Sequence, residues 1–243
     1  MVGFTALSPA CRHPFANIED DTNRKRKPYD NVLCTIPYPS VSSTPNVFQI
    51  YQLPKNQQRD MSTMSEESIS DFSLPWCKAL LADSSLEPVP TFSRVRHHGS
   101  TENSLLAISL RTPNTIRACM CLIERPADSR TLGTSIHMLF SLGSGVNGIS
   151  GVCHGSIVTL MFDEAFGQLM TTFLDRDWLI TAELAVSFKR PLRTPAVVLC
   201  TTWIETEPEG RKTWMRGKLE DGLGGVYAEG RALYLKRKEK GSL

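Results

Sequence analysis

Charge of one sign is what this chain has least of: 27 Lys and Arg stand against 25 Asp and Glu over 243 residues, a formal balance of +2. Such a balance builds no extended phosphate-binding field, so no nucleic-acid partner is expected. Long apolar runs are missing as well. None approaches the roughly 20 residues that cross a bilayer, and no membrane span is expected. Gly3, Ser8 and Pro9 interrupt the N-terminus before a secretory apolar core can build, and Glu19, Asp20 and Asp21 do not suit a transit peptide. The seven cysteines, at 11, 34, 77, 119, 121, 153 and 200, show neither a disulfide framework nor paired C-x-x-C spacing. Reduced thiols in an intracellular compartment are expected, the cytoplasm first, with mitochondria left open.

Histidine is scarce, and its positions exclude one chemistry outright. Gly151-Val152-Cys153-His154-Gly155 has the G-x-C-x-G form of a nucleophile elbow, but all five histidines lie at 13, 97, 98, 137 and 154. An α/β-hydrolase triad needs its His well downstream of the nucleophile, and none follows. His97-His98 and Cys119-x-Cys121 lack a third ligand at metal spacing. Gly143-Ser144-Gly145-Val146-Asn147-Gly148 has the G-x-G-x-x-G form without a βαβ setting. No metal and no cofactor are expected; the glycine loop is read as shaping an entrance.

Residues 1–70 hold 7 of the 15 prolines and 7 basic against 7 acidic side chains, with no sustained apolar period. They are expected to form a disordered tail, in which the basic run Arg24-Lys25-Arg26-Lys27 is simply solvated. Residues 71–243 are expected to form one domain with its core at about 130–237. Pro75 opens a short lead helix through Leu81. A strand is expected over Ser104 to Leu110, a helix over Thr115 to Glu124, and a strand over Thr131 to Leu142. The segment from His154 to Leu174 is apolar at nearly every angle around a helix, so other structure must surround it. Four alternating runs follow: Leu179 to Lys189, Val197 to Thr206, Lys212 to Glu220 and Val226 to Lys236, with short hairpin links at 208–211 and 221–225. One strand, a buried helix and then an antiparallel meander describe an α+β hot-dog fold. Its five- to six-stranded antiparallel sheet wraps around one long helix, with a short helical lead and a disordered tail.

Asp163 is the anomaly of that helix, because a carboxylate flanked by Met161, Phe162, Ala165 and Phe166 is costly to bury unless it is partnered or used. Its neighbour Glu164 points about 100° away. At the helix start, His154-Gly155-Ser156 offers unpaired N–H groups and the positive dipole end to a developing oxyanion; Ser156 is equally suited to be an N-terminal cap. Nine residues of helix separate His154 from Asp163, about 13 Å. Both ends reach one carbonyl only if a second copy supplies one of them, so a homodimer is expected.

The run His154-Gly155-Ser156-Ile157-Val158-Thr159-Leu160-Met161-Phe162-Asp163-Glu164-Ala165 resembles the H-G-G-x6-D-E-A signature of hot-dog acyl-thioester hydrolases of the phenylacetyl-CoA thioesterase type. The likeness continues through Thr181-Ala182-Glu183-Leu184, Phe188-Lys189-Arg190-Pro191, Glu209-Gly210-Arg211-Lys212 and Ala228-Glu229-Gly230-Arg231-Ala232. Upstream, Leu74-Pro75-Trp76-Cys77 and Thr112 to Cys119 resemble the leader of fungal members. The resemblance spans about 72–237.

It implies Asp163 as nucleophile or base toward water, and Thr181 as the group orienting that water or the carboxylate. The Gly155 and Ser156 amides of a partner chain would polarise the thioester carbonyl, and His154 would position the loop or the carbonyl. Ser156 replaces the usual second glycine, which bears on substrate range. The implied substrate is an acyl thioester of coenzyme A or of an acyl carrier protein, in lipid or polyketide metabolism, handled by a homodimer or tetramer. Lys189, Arg190 and Arg193 are candidate contacts for carrier phosphates. The competing classes are a non-catalytic acyl-binding subunit and an enoyl-thioester hydratase; the second would want a histidine beside the acid on one helix, and this helix has none.

Overall fold

The computed structural model describes residues 70–97, 99–125, 132–173 and 179–236. The tail expected over 1–70, with its basic run, lies outside the described residues apart from Ser70. In chain order the elements are α1 (Pro75–Leu81), β1 (Leu86–Val89), β2 (Ile116–Glu124), β3 (Ser135–Leu142), β4 (Asn147–Ile149), β5 (Val152–Cys153), α2 (Gly155–Phe173), β6 (Leu179–Phe188), β7 (Ala196–Ile204), β8 (Lys212–Glu220) and β9 (Val226–Lys236).

The alternating runs become strands because alternation delivers one row of side chains to the helix and the other row to the opposite face. One antiparallel sheet results, in the order β1-β2-β3-β7-β8-β9-β6. From β3 the chain passes through α2 to β6 at the far edge, and the meander β7-β8-β9 fills the gap between them. This is the hot-dog arrangement, α+β, with the sheet curled around α2. It has seven strands rather than five or six, because the leader adds β1 and β2 beside β3.

Two leader elements exchange identity relative to the sequence reading. Ser104 to Leu110, expected as a strand, forms a wide helical turn over Leu105–Ser109. Thr115 to Glu124, expected as a helix, is β2. The reason is burial on both faces. A bulge between Ile116 and Ala118 sends Ala118 and Met120 to one side of the sheet and Cys119, Cys121 and Ile123 to the other, and both sides are covered. A strand covered on both faces shows no polar alternation and mimics a buried helix.

On the concave face, Ile136, Met138, Phe140, Cys200, Met215 and Ala232 pack against Met161, Phe162, Ala165, Phe166 and Leu169 of α2. Phe162 fixes how close helix and sheet come. A Cβ placed on Gly230 would lie 2.7–3.0 Å from its ring, and one on the cross-strand partner Gly217 would lie 3.3 Å away, so both strands must be bare there. On the convex face, Phe72 and Cys77 pack with Ala118, Leu139 and Leu199. The leader also returns to α2: Gln168 accepts from Phe92 N–H and donates to Pro90 O, and the buried Arg94 donates to the carbonyls of Leu106 and Ile116. The long helix is half-buried along Thr159, Asp163, Gly167 and Thr171, a stripe of four-residue spacing beside β6.

Candidate active site

Asp163 sits in the middle of that stripe. Thr181 of β6 donates to its Oδ1 at 2.9 Å, and Tyr234 of β9 donates to the same oxygen at 3.0 Å. The phenol also reaches the Asp163 backbone carbonyl at 3.0 Å. Thr181 and Tyr234 are direct cross-strand partners, and a bulge between Thr181 and Glu183 follows immediately. No donor among the described residues reaches Oδ2. Burial pushes the Tyr234 phenol well above its ordinary range, with the neighbouring carboxylate adding to the shift, so the group stays protonated and serves as a donor. Tyr234 is the site residue that sequence reasoning missed. The available signal was the inward row of β9, Ala228, Gly230, Ala232 and Tyr234, in which three small residues are followed by one large polar one.

Glu164 faces away from that oxygen pair and toward the leader. Burial raises its carboxyl above the usual glutamate value, against the opposing pull of a hydrogen bond with Ser93 and the charge of Arg94. The leader thus occupies the Glu164 side of α2 and leaves the Asp163 side facing β6.

At the helix start, His154 Nδ1 lies 2.6 Å from Ser156 Oγ and accepts the Ser156 N–H at 3.0 Å. The imidazole is therefore the cap of α2, through Nδ1. A Cβ on Gly148 would meet the His154 ring at 2.7 Å, so the glycine loop seats this histidine. The Ser156 amide is already taken by the ring; the Gly155 N–H has no acceptor among the described residues. A Cβ on Gly155 would touch the Phe188 ring at 3.4 Å, so Phe188 walls that amide. A cavity of about 390 Å³ opens there, lined by Gly155, Val158, Phe188, Leu192 and Tyr227, with Lys189 and Arg190 also on its wall.

The three candidate phosphate contacts differ. Lys189 pairs with Glu229 at 2.8 Å. Arg190 is built into the 221–225 turn: it bonds Asp221 Oδ2 at 2.6 Å and the Gly225 and Val226 carbonyls, and lies over the Tyr227 ring. Arg193 is exposed and makes no ion pair with the described residues. Cys153 keeps a neutral thiol, which burial pushes up to about 11. Cys119 is pushed up to about 12, and Cys121 well above its ordinary value. In the glycine loop, Gly143 and Gly145 donate to the carbonyls of Thr115 and Asn114, so both press on the leader's backbone. His98 lies outside the described residues.

Residues 150–207, which carry the helix cap, Asp163 and Thr181, match the model of the thioesterase superfamily. The likeness to that superfamily covers this segment alone. Beyond the thioesterase-superfamily match, verlamelin biosynthesis protein B of Lecanicillium is 23% identical over 176 residues, covering 58% of this chain and 75% of that protein. Among solved structures, the Escherichia coli PaaI protein from the phenylacetic acid degradation operon is 12% identical, covering 43% of this chain and 73% of its own, with a TM-score of 0.39. A mutant thioesterase from Pseudomonas aeruginosa is 14% identical, covering 46% and 79%, also at 0.39. Among the described residues no helix is long and apolar enough to cross a membrane.

Proposed function

We propose that this protein hydrolyses acyl thioesters to a free carboxylic acid and a thiol. The observation that carries the reading is the Asp163 carboxylate: one oxygen is held by hydroxyl donors from two strands, and the other meets no donor among the described residues. In the proposed step Oδ2 takes a proton from water as the water oxygen attacks the thioester carbon. The carbonyl oxygen becomes an oxyanion held by the Gly155 N–H at the positive end of α2. Collapse breaks the C–S bond, and the proton on Asp163 passes to the leaving sulfur. Thr181 keeps the carboxylate oriented, and His154 holds the turn that presents Gly155.

Gly155 and Asp163 of one copy are eight residues apart, about 12 Å along the helix, so a second copy supplies the Gly155 amide. The working unit is accordingly a homodimer with two shared sites, the tetramer being a pair of such units. The apolar cavity beside Gly155 has room for an acyl group, and Arg193, exposed and without an ion pair among the described residues, is the cation left to meet a carrier phosphate. The relative named for verlamelin biosynthesis supports a biosynthetic role; the proposed setting is lipid or polyketide metabolism, with coenzyme A or a carrier protein as the thiol.

The test is thiol release from a panel of acyl-CoA and acyl-pantetheine substrates by wild type and Asp163→Asn. Asn keeps an acceptor for Thr181 and Tyr234 but cannot take the proton, so turnover should fall at least roughly 100-fold with binding retained. Equal release by both proteins overturns the assignment. Binding of acyl chains without release by either protein replaces it with an acyl-binding subunit.

A further inference from the structure

We infer that Tyr234 is a positioning residue of this site, which with Thr181 fills one oxygen of Asp163 so that the other is the reacting one. The inference rests on the reading of Asp163 as the proton acceptor. It starts from topology. In an antiparallel pair, directly opposed residues project to the same face, so the Thr181–Tyr234 register aims both hydroxyls at one point on α2. They meet there on a single atom, Oδ1, at 2.9 and 3.0 Å. A carboxylate oxygen with two donors has both lone pairs engaged, and the carboxyl plane can no longer rotate freely.

The rest of β9 shows that packing alone does not account for the tyrosine. Its inward row is otherwise Ala228, Gly230 and Ala232, residues small enough for α2 to lie close. The one large residue stands opposite the one acid of the half-buried stripe. Its hydroxyl lies 3.7 Å from where a Cβ on Gly167 would be, so it fits into the turn of α2 that follows Asp163. A phenylalanine would fill the same ring volume without carrying a hydroxyl into a buried position. The buried phenol finds all its partners at this one point: the carboxylate and backbone carbonyl of Asp163, and the Thr181 hydroxyl beside them. The phenol's single proton is shared between the carbonyl, which ties it to the helix, and Oδ1, which sets which carboxylate oxygen is left over.

Donors to a carboxylate favour its charged form, so removing one makes the acid easier to protonate. In Tyr234→Phe, kcat near neutral pH should fall roughly tenfold, the scale of one hydrogen bond to a charged group, with KM within about twofold. The acidic limb of the pH–rate profile should move to higher pH. A loss of packing would change neither the limb nor the split between kcat and KM. A readout without turnover is the Asp163 carboxyl carbon followed by 13C NMR, which should titrate at higher pH in Tyr234→Phe than in wild type. Unchanged kcat together with an unchanged titration would overturn the inference. If wild type releases no thiol, the hydrolase reading fails and the NMR titration still decides the Tyr234 bond. Should Tyr234→Phe not fold, 3-fluorotyrosine at 234, a more acidic and stronger donor in an almost unchanged ring, should move the titration to lower pH; no movement overturns the inference equally.

Discussion

His137 shows how a single side chain on the convex face couples this fold to pH. Its ring lies 3.0 Å from Ser135 Oγ, 3.2 Å from Thr201 Oγ1 and 3.4 Å from Glu124 Oε2, with Lys218 and Glu220 also acting on it. Burial lowers its pKa below the ordinary 6.5, outweighing the Glu124 carboxylate, which raises it. Below that value the unfolded chain therefore takes up the proton before the folded one, and stability falls with pH. The contribution is complete above 6.5 and is lost as pH drops through and below it. Urea unfolding at pH 5 and pH 7.5 should show the loss in wild type, and His137→Gln should flatten it; equal slopes would contradict the assignment. Single residues also mark how much of the site was legible. Asp163 stood out because a charge interrupts an apolar helix, and Thr181 because it lies in a recognisable run. Tyr234 did not stand out, because its role exists only once β9 is registered against β6, and register is a long-range property.

At the scale of elements, α2 and the four strands after it were legible because each presents a single period over many residues. β2 was not, since α1 covers one of its faces and α2 the other. The same double cover makes the leader part of the core, whereas we propose from the sequence, which shows no sustained apolar period there, that residues 1–60 do not contribute to it. Deletion of residues 1–60 should leave folding and hydrolysis nearly unchanged. Phe72→Ala, by contrast, empties a site that is 1% exposed between α1 and the sheet. It should cost about 3–5 kcal/mol, read as a lowered denaturation midpoint. A truncated protein that aggregates, or a Phe72→Ala midpoint equal to wild type, would each refute the corresponding half.

For the whole molecule, the site proposed above would be shared between two copies, and light scattering at micromolar concentration should give a dimer or a tetramer; a stable, active monomer would refute the shared site. The leader leaves the two margins of the sheet unequal. β1, which closes one of them, is four residues long and carries Pro88, whose missing N–H makes it a poor template for another strand. β6, at the other margin, is ten residues long and borders the Asp163 stripe. Among the described strands, edge-to-edge growth therefore favours β6, and two copies joined there would leave β1 at both remaining ends. In the proposed dimer, growth through strand edges would stop at two, and a tetramer would have to form through faces instead, so one long strand at a margin would not by itself seed a fibre.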